Sequence, residues 1–141
     1  MKTKSITFSI VLLFSVCASA VFAKEIKKDD LIGRWDIQGS LMGDDVTGWL
    51  LPHKPANPDC EADHTIFYDN NTSEEVYHDK DCKASENVFE WKLNGNILTL
   101  TKGERKVKWH IKSIEEGKMI IGVQVRPNSE NLMYVVYKKH D

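Results

Sequence analysis

Cys60, His64, His78 and Cys82 are the residues whose types and spacing come closest to a chemical site. They run Cys60-x3-His64, then His78-x3-Cys82, mirrored about Asn71. In a hairpin turning at Asn71, Cys60 faces Cys82 and His64 faces His78. One chemistry this suggests is a Cys2His2 zinc site, for which C-x3-H is plausible ligand spacing. Geometry opposes it: four residues along a strand span about 13 Å, so the two rungs cannot meet at one ion bound at ~2 Å. A disulfide needs only the cysteine rung. It would close a loop of ~20 residues, stabilise the chain by about 3 kcal/mol on the chain-entropy model, and pin the register of a hairpin whose turn residues are permissive to slippage. The His64–His78 pair then has two readings, a site that binds a metal or titrates near pH 6, or two surface neighbours with no joint role.

Trp49-Leu50-Leu51 is the second feature, inside a segment broken by Pro52, Pro55 and Pro58. Three large apolar residues on a loop can gate a ligand, plug a cavity, or anchor a protein partner, for which tryptophan is a frequent hot spot. No catalytic set is visible. There is no G-x-S-x-G and no H-E-x-x-H, and a disulfide would consume both cysteines beyond residue 23. The expectation is a protein that is not an enzyme and holds no cofactor or metal. The acidic pairs Asp29-Asp30, Asp44-Asp45, Glu74-Glu75 and Glu115-Glu116 read as solvation, and Asp69-Asn70-Asn71 lacks the glycine and terminal glutamate of a calcium loop. Asn70-Asn71-Thr72 and Asn71-Thr72-Ser73 are glycosylation sequons, of use only in a eukaryotic source.

The cysteine argument depends on compartment. Lys2 and Lys4, an apolar stretch over residues 6–16, and the small residues Ala18-Ser19-Ala20 and Ala23 form a signal-peptide pattern, with cleavage expected after Ala23 or, alternatively, Ala20. The stretch is too short to span a bilayer. Phe14-Ser15-Val16 before Cys17 is a poor lipobox. The chain is therefore expected to be exported, to the periplasm or beyond, where cysteines oxidise. Residues 24–141 are one domain's worth of chain. Loss of Lys2 and Lys4 leaves 17 basic against 21 acidic residues, a charge of −4. That argues against nucleic acid or an anionic membrane as partner, and no later apolar run could span a membrane.

Positioning these residues falls to short strands, since period-2 patterns dominate and no long helical stripe appears. Asp29-Asp30 can cap one helical turn ahead of Leu31. Strands are expected at 33–37, 64–68, 75–78, 88–93, 97–101, 107–112, 119–126 and 132–137, with 43–59 as a long loop. Asn94-Gly95 is the strongest hairpin signal. Alternation places Phe89, Trp91 and Leu93 on one face, with Val107, Trp109 and Ile111, and with Met119, Ile121, Val123 and Val125. The last strand, Leu132-Met133-Tyr134-Val135-Val136-Tyr137, is apolar on both faces, so its outer face needs a cover, from the N-terminal segment or from a partner. Eight strands joined mostly by tight turns predict an all-β fold, an antiparallel eight-stranded up-and-down barrel.

Leu31-Ile32-Gly33-Arg34-Trp35, Thr65-Ile66-Phe67-Tyr68-Asp69, and Trp91-Lys92-Leu93-Asn94-Gly95-Asn96-Ile97-Leu98-Thr99-Leu100 together resemble the bacterial lipocalin-like domains, relatives of the lipocalins. The resemblance implies a lipocalin-like barrel with Gly33 and Trp35 at its base, where lipocalins often set an arginine from near the last strand beneath the tryptophan. Lys138 and Lys139 stand there in this chain. It also implies binding of a small apolar or amphipathic ligand, with Trp49, Leu50 and Leu51 at the mouth and Phe89, Trp91, Trp109, Ile121 and Val123 as wall. Trp35, Trp91, Trp109 and Phe89 are also large enough to fill an eight-stranded interior. Two other readings are a protein-binding module, such as an inhibitor of an exported hydrolase, and a structural domain with no ligand.

Overall fold

A computed structural model describes residues 24–43 and 45–141; the leader expected at 1–23 lies outside them. The Lys27 amide donates to the Asp30 carboxylate at 2.8 Å, so an acid in the first turn caps the single turn of helix α1 (Lys28–Leu31). Nine strands follow: β1 (Gly33–Met42), β2 (Trp49–Pro52), β3 (His64–Phe67), β4 (Thr72–His78), β5 (Ala84–Asn94), β6 (Ile97–Lys102), β7 (Arg105–Glu115), β8 (Lys118–Gln124) and β9 (Leu132–Lys139). β1 pairs with β9 on one edge. Its other edge takes β3 along Gly33–Asp36 and β2 along Gly39–Met42. The ring β1-β3-β4-β5-β6-β7-β8-β9 is thus a closed antiparallel barrel of eight strands, with β2 as an extra strand. Closure removes the free edges that an open sheet would expose.

β2 falls inside the segment expected as loop. The prolines still act as the sequence suggests: β2 has a single hydrogen-bonded neighbour, and Pro52 ends it, where a missing N–H breaks no ladder. Two-residue turns join β5 to β6, β6 to β7 and β7 to β8. Gly95, with φ 60°, opens the turn between Asn94 and Ile97, a conformation that costs a residue without a side chain little.

The alternation builds the core. Inward positions of seven strands meet as Trp35, Phe67, Phe89, Trp91, Leu98, Leu100, Trp109, Ile111, Met119, Ile121 and Tyr137, all at most 5% exposed. Phe67 stands edge-on to Trp91 and Trp109, with centroids 5.8 and 5.9 Å apart, and Trp109 stacks on Tyr137 at 5.5 Å. Such pairs add about 0.5–1.5 kcal/mol each beyond burial.

The β3–β4 hairpin corrects the expected mirror at Asn71. His64 pairs with Val76 and Phe67 with Ser73, so the ladder is centred on Asn70. The cause is the turn: Tyr68 N–H donates to Thr72 at 2.9 Å, and Asn71 takes φ 64°, the left-handed position that closes a three-residue loop and that asparagine tolerates. His64 and His78 therefore do not face each other as a rung.

Candidate functional site

The two ends of the barrel differ. At one end Trp35 is fully buried and its indole N–H donates to the Leu31 carbonyl at 2.8 Å. Lys139 Nζ lies 5.2 Å over the Trp35 ring, the place where the sequence resemblance set an arginine. Leu31 and Ile26 pack on the same core. The N-terminal residues thus close the base, beside Lys112–Glu115 of β7, and do not cover the outer face of β9. That outer face, with Val136 buried, instead shares an apolar groove of about 360 Å3 with Leu41 and Leu50.

The opposite end is open. Trp49 is 65% exposed, Val125 60%, Met133 47%, Leu51 44%, Met42 43% and Tyr77 39%. Each stands at an inward position. Trp49 opposes Met42 and Leu51 opposes Ser40; Ser40 opposes Val135, which packs on the core; Met133 opposes Val123; Tyr77 opposes Ser85 two residues from Asn87. These six make up most of the ten large apolar side chains exposed among the described residues, so exposure concentrates at one mouth and is not scattered. Leu51 also borders, with Ile37, Ser40 and His53, a cavity of about 410 Å3 beside β2.

The mouth is two-sided. Its β8, β9, β1 and β2 wall is apolar: Val123, Val125, Met133, Val135, Met42 and Trp49. The β4–β7 wall carries polar inward residues instead. Lys102 Nζ donates to Asn87 Oδ1 at 2.8 Å and sits 6.0 Å from the Phe89 ring centroid. Burial pushes the Glu75 carboxyl up, while Arg105 and Lys102 pull it back. Burial, with Glu75 and Asp63 adding to it, also raises the Tyr77 phenol, against Arg105. Tyr137, at the floor, is pushed well up by burial.

A strap over 53–63 runs from β2 to β3, and its end is tied down. Cys60 and Cys82 are joined in a disulfide with Cα atoms 5.2 Å apart. The bridge does not cross a ladder, as the mirrored spacing suggested; it links the strap to the β4–β5 turn, where Cys82 has φ 61°. Asp63, 5% exposed, accepts from His53 Nε2 at 2.8 Å and from the His78 amide at 2.8 Å, spanning the gap that β2 and β4 leave in the wall. Burial pushes its carboxyl up, but the His53 and His78 hydrogen bonds outweigh that and hold it below the usual range. His64 is buried rather than superficial, with Nδ1 2.7 Å from the Ala62 carbonyl, and its ring centroid lies 6.3 Å from that of His78. Arg34 bridges Asp36 and Glu61 beside them. Among the described residues no group of three or more His, Cys, Asp or Glu is arranged to hold a metal ion.

The residues singled out from the sequence thus separate. Trp49, Leu51 and Val123 lie at the open mouth, while Leu50 faces the outer groove. Phe89, Trp91, Trp109 and Ile121 lie in the packed core, and Gly33 and Trp35 at the base. Met42, Asn87, Lys102 and Arg105 escaped notice, and in the sequence Glu75 reads as solvation and Met133 as part of a doubly apolar strand, not as site residues. A signal for two of them existed: Lys102 and Arg105 flank a two-residue turn and continue the apolar faces of Leu98-x-Leu100 and Val107-x-Trp109.

An eight-stranded closed barrel with a tryptophan sealed at its base defines a lipocalin-like architecture. Residues 31–121 match the model of the lipocalin-like domain, and the chain belongs to that family. The match stops at Ile121, and β9 beyond it completes the ring. Among solved structures, a lipocalin-like protein from Bacteroides uniformis superposes with a TM-score of 0.56 at 11% identity, covering 79% of this chain and 99% of that one. This likeness is one of fold. No curated protein matches the sequence.

Proposed function

We propose that this protein binds a small apolar or amphipathic molecule at the open end of its barrel, as a binding protein and not an enzyme. The observation that carries this reading is the convergence of Met42, Trp49, Leu51, Tyr77, Val125 and Met133, exposed yet inward-facing, on one mouth. Exposed apolar surface of that kind costs solubility unless something uses it. Family membership supports a barrel suited to binding. The ligand would sit shallowly, since the aromatic core fills the barrel below Val123. We further propose that the protein works outside the cytoplasm, in the periplasm or secreted. The Cys60–Cys82 bridge supports this, as does the signal-peptide pattern at the start of the chain; among the described residues no helix is long and apolar enough to cross a membrane.

Titration with phenylnaphthylamine, a neutral apolar fluorophore, tests the reading. Saturable one-site enhancement is expected, weakened about tenfold or more by Met133→Asp, which puts a charge on the apolar wall. A linear, unsaturable response would overturn it. A second reading has one observation in its favour: β2 has a free edge and carries the most exposed tryptophan, which suits a protein partner such as an exported hydrolase. Recovery of one stoichiometric protein by the wild type, lost with Trp49→Ala, would favour it.

A further inference from the structure

The mouth offers two cationic side chains on one wall and apolar side chains on the other. Lys102 and Arg105 are cross-strand partners at the rim of β6 and β7, both on the inward face. β4 and β7 are not neighbours in the sheet, so the pull of Arg105 on Glu75 and Tyr77 acts across the lumen and not along a shared strand pair. Lys102 is held against the wall by Asn87. Arg105 forms no ion pair with any described carboxylate and is exposed, which leaves its planar fork of donors available. Glu75 is the acid between β4 and this wall, and it is more deeply set than either cation. An incoming molecule meets the cations first, with Val125 beside them next to β8 and Met133, Met42 and Trp49 farther round the rim.

Resting on the binding reading above, we propose that the ligand is an anionic amphiphile: its carboxylate-type head pairs with Arg105 and Lys102, and its apolar body lies against β8, β9 and β2. A cationic amphiphile would be repelled at the rim, and a neutral one would leave Arg105 unused. The planar bidentate match favours a carboxylate head over a point anion.

The experiment uses the disulfide-intact protein with phenylnaphthylamine bound, displaced by three molecules of one chain length below their micelle concentrations: dodecanoate, methyl dodecanoate and dodecylamine. Dodecanoate should displace the probe at a concentration about tenfold lower than the ester or the amine, the size of one charge-assisted hydrogen bond. Arg105→Gln should remove most of that preference, weakening displacement by dodecanoate far more than displacement by the ester. Lys102→Gln should remove a smaller part. Both positions are exposed, and far-UV circular dichroism checks that each variant folds. Equal displacement by dodecanoate and ester, or an Arg105→Gln variant with the preference intact, overturns the anion assignment and leaves the binding reading standing. Preference for the amine overturns it in favour of Glu75 as the head-group partner. A wild-type protein that takes up neither probe nor any of the three overturns both.

Discussion

At the base of the barrel, Trp35, Leu31, Phe67 and Met119 are within 1% of complete burial; at the mouth, Trp49, Met133, Val125 and Leu51 keep 44–65% of their surface in water. Both sets, Leu31 apart, are inward positions of one barrel wall. What separates them is what the chain places across each opening. The base has a capped helical turn, an indole hydrogen-bonded to Leu31, and Lys139 over the ring. The mouth has β2, which extends the wall upward and does not fold over it, and a strap pulled to the outside by the Cys60–Cys82 bridge and the Asp63 hydrogen bonds. Stability is therefore concentrated at one end, and the surface free for binding at the other.

That contrast can be broken or sharpened by substitution. Trp35→Ala should lower stability by about 3–5 kcal/mol, the range for removing a fully packed tryptophan, read by urea unfolding. A loss under about 1 kcal/mol would mean that the base does not anchor the fold. Reducing the disulfide should cost about 2–4 kcal/mol. Amide exchange over 53–63 should accelerate while β5 to β8 stay protected; uniform acceleration would contradict a tether local to the strap. Thiol titration of the unfolded, unreduced chain should find neither Cys60 nor Cys82 free.

Asp63→Asn should cost about 1–3 kcal/mol near neutral pH, the range for hydrogen bonds to a charged, buried group. The folded carboxyl sits below its unfolded value of about 4. Its contribution is therefore present above that value and is lost as pH falls through the folded pKa. Melting temperatures of wild type and variant should therefore converge as pH falls below about 4; a gap that stays constant would rule out the Asp63 carboxylate as the wall staple. The smallest effect on stability belongs to Trp49→Ala, under about 0.5 kcal/mol, although the same change should weaken phenylnaphthylamine binding severalfold. A large destabilisation would show Trp49 to be a structural plug.

Much of this was readable in the chain. Val107-x-Trp109-x-Ile111 and Phe89-x-Trp91-x-Leu93 announced both strands and inward faces, and Asn94-Gly95 announced a turn one residue from its true centre. The disulfide partners were readable because only Cys60 and Cys82 lie beyond residue 23. The place of the bridge was not, since the expected mirror at Asn71 depended on a turn whose left-handed residue shifts the ladder by two. Nor was the burial of His64, because a strand's outer face is normally wet and only the strap packed over it makes it dry.

Sequence alone determined where the eight barrel strands lie and, for β5, β7 and β8, which side is apolar, because alternation and turn chemistry act over a few residues. Tertiary structure alone decided which end of the barrel is sealed. It also decided that Trp49 and Leu51 join the inward face while Leu50 leaves it, and that Arg105 of β7 and Glu75 of β4 stand at inward positions of one lumen. Those outcomes follow from the pairing of β1 with β9 and from a bulge at Ile37/Gly39 that changes which residues of β1 point inward. Ring closure joins residues about a hundred positions apart, and no local pattern encodes where such a ring leaves its opening.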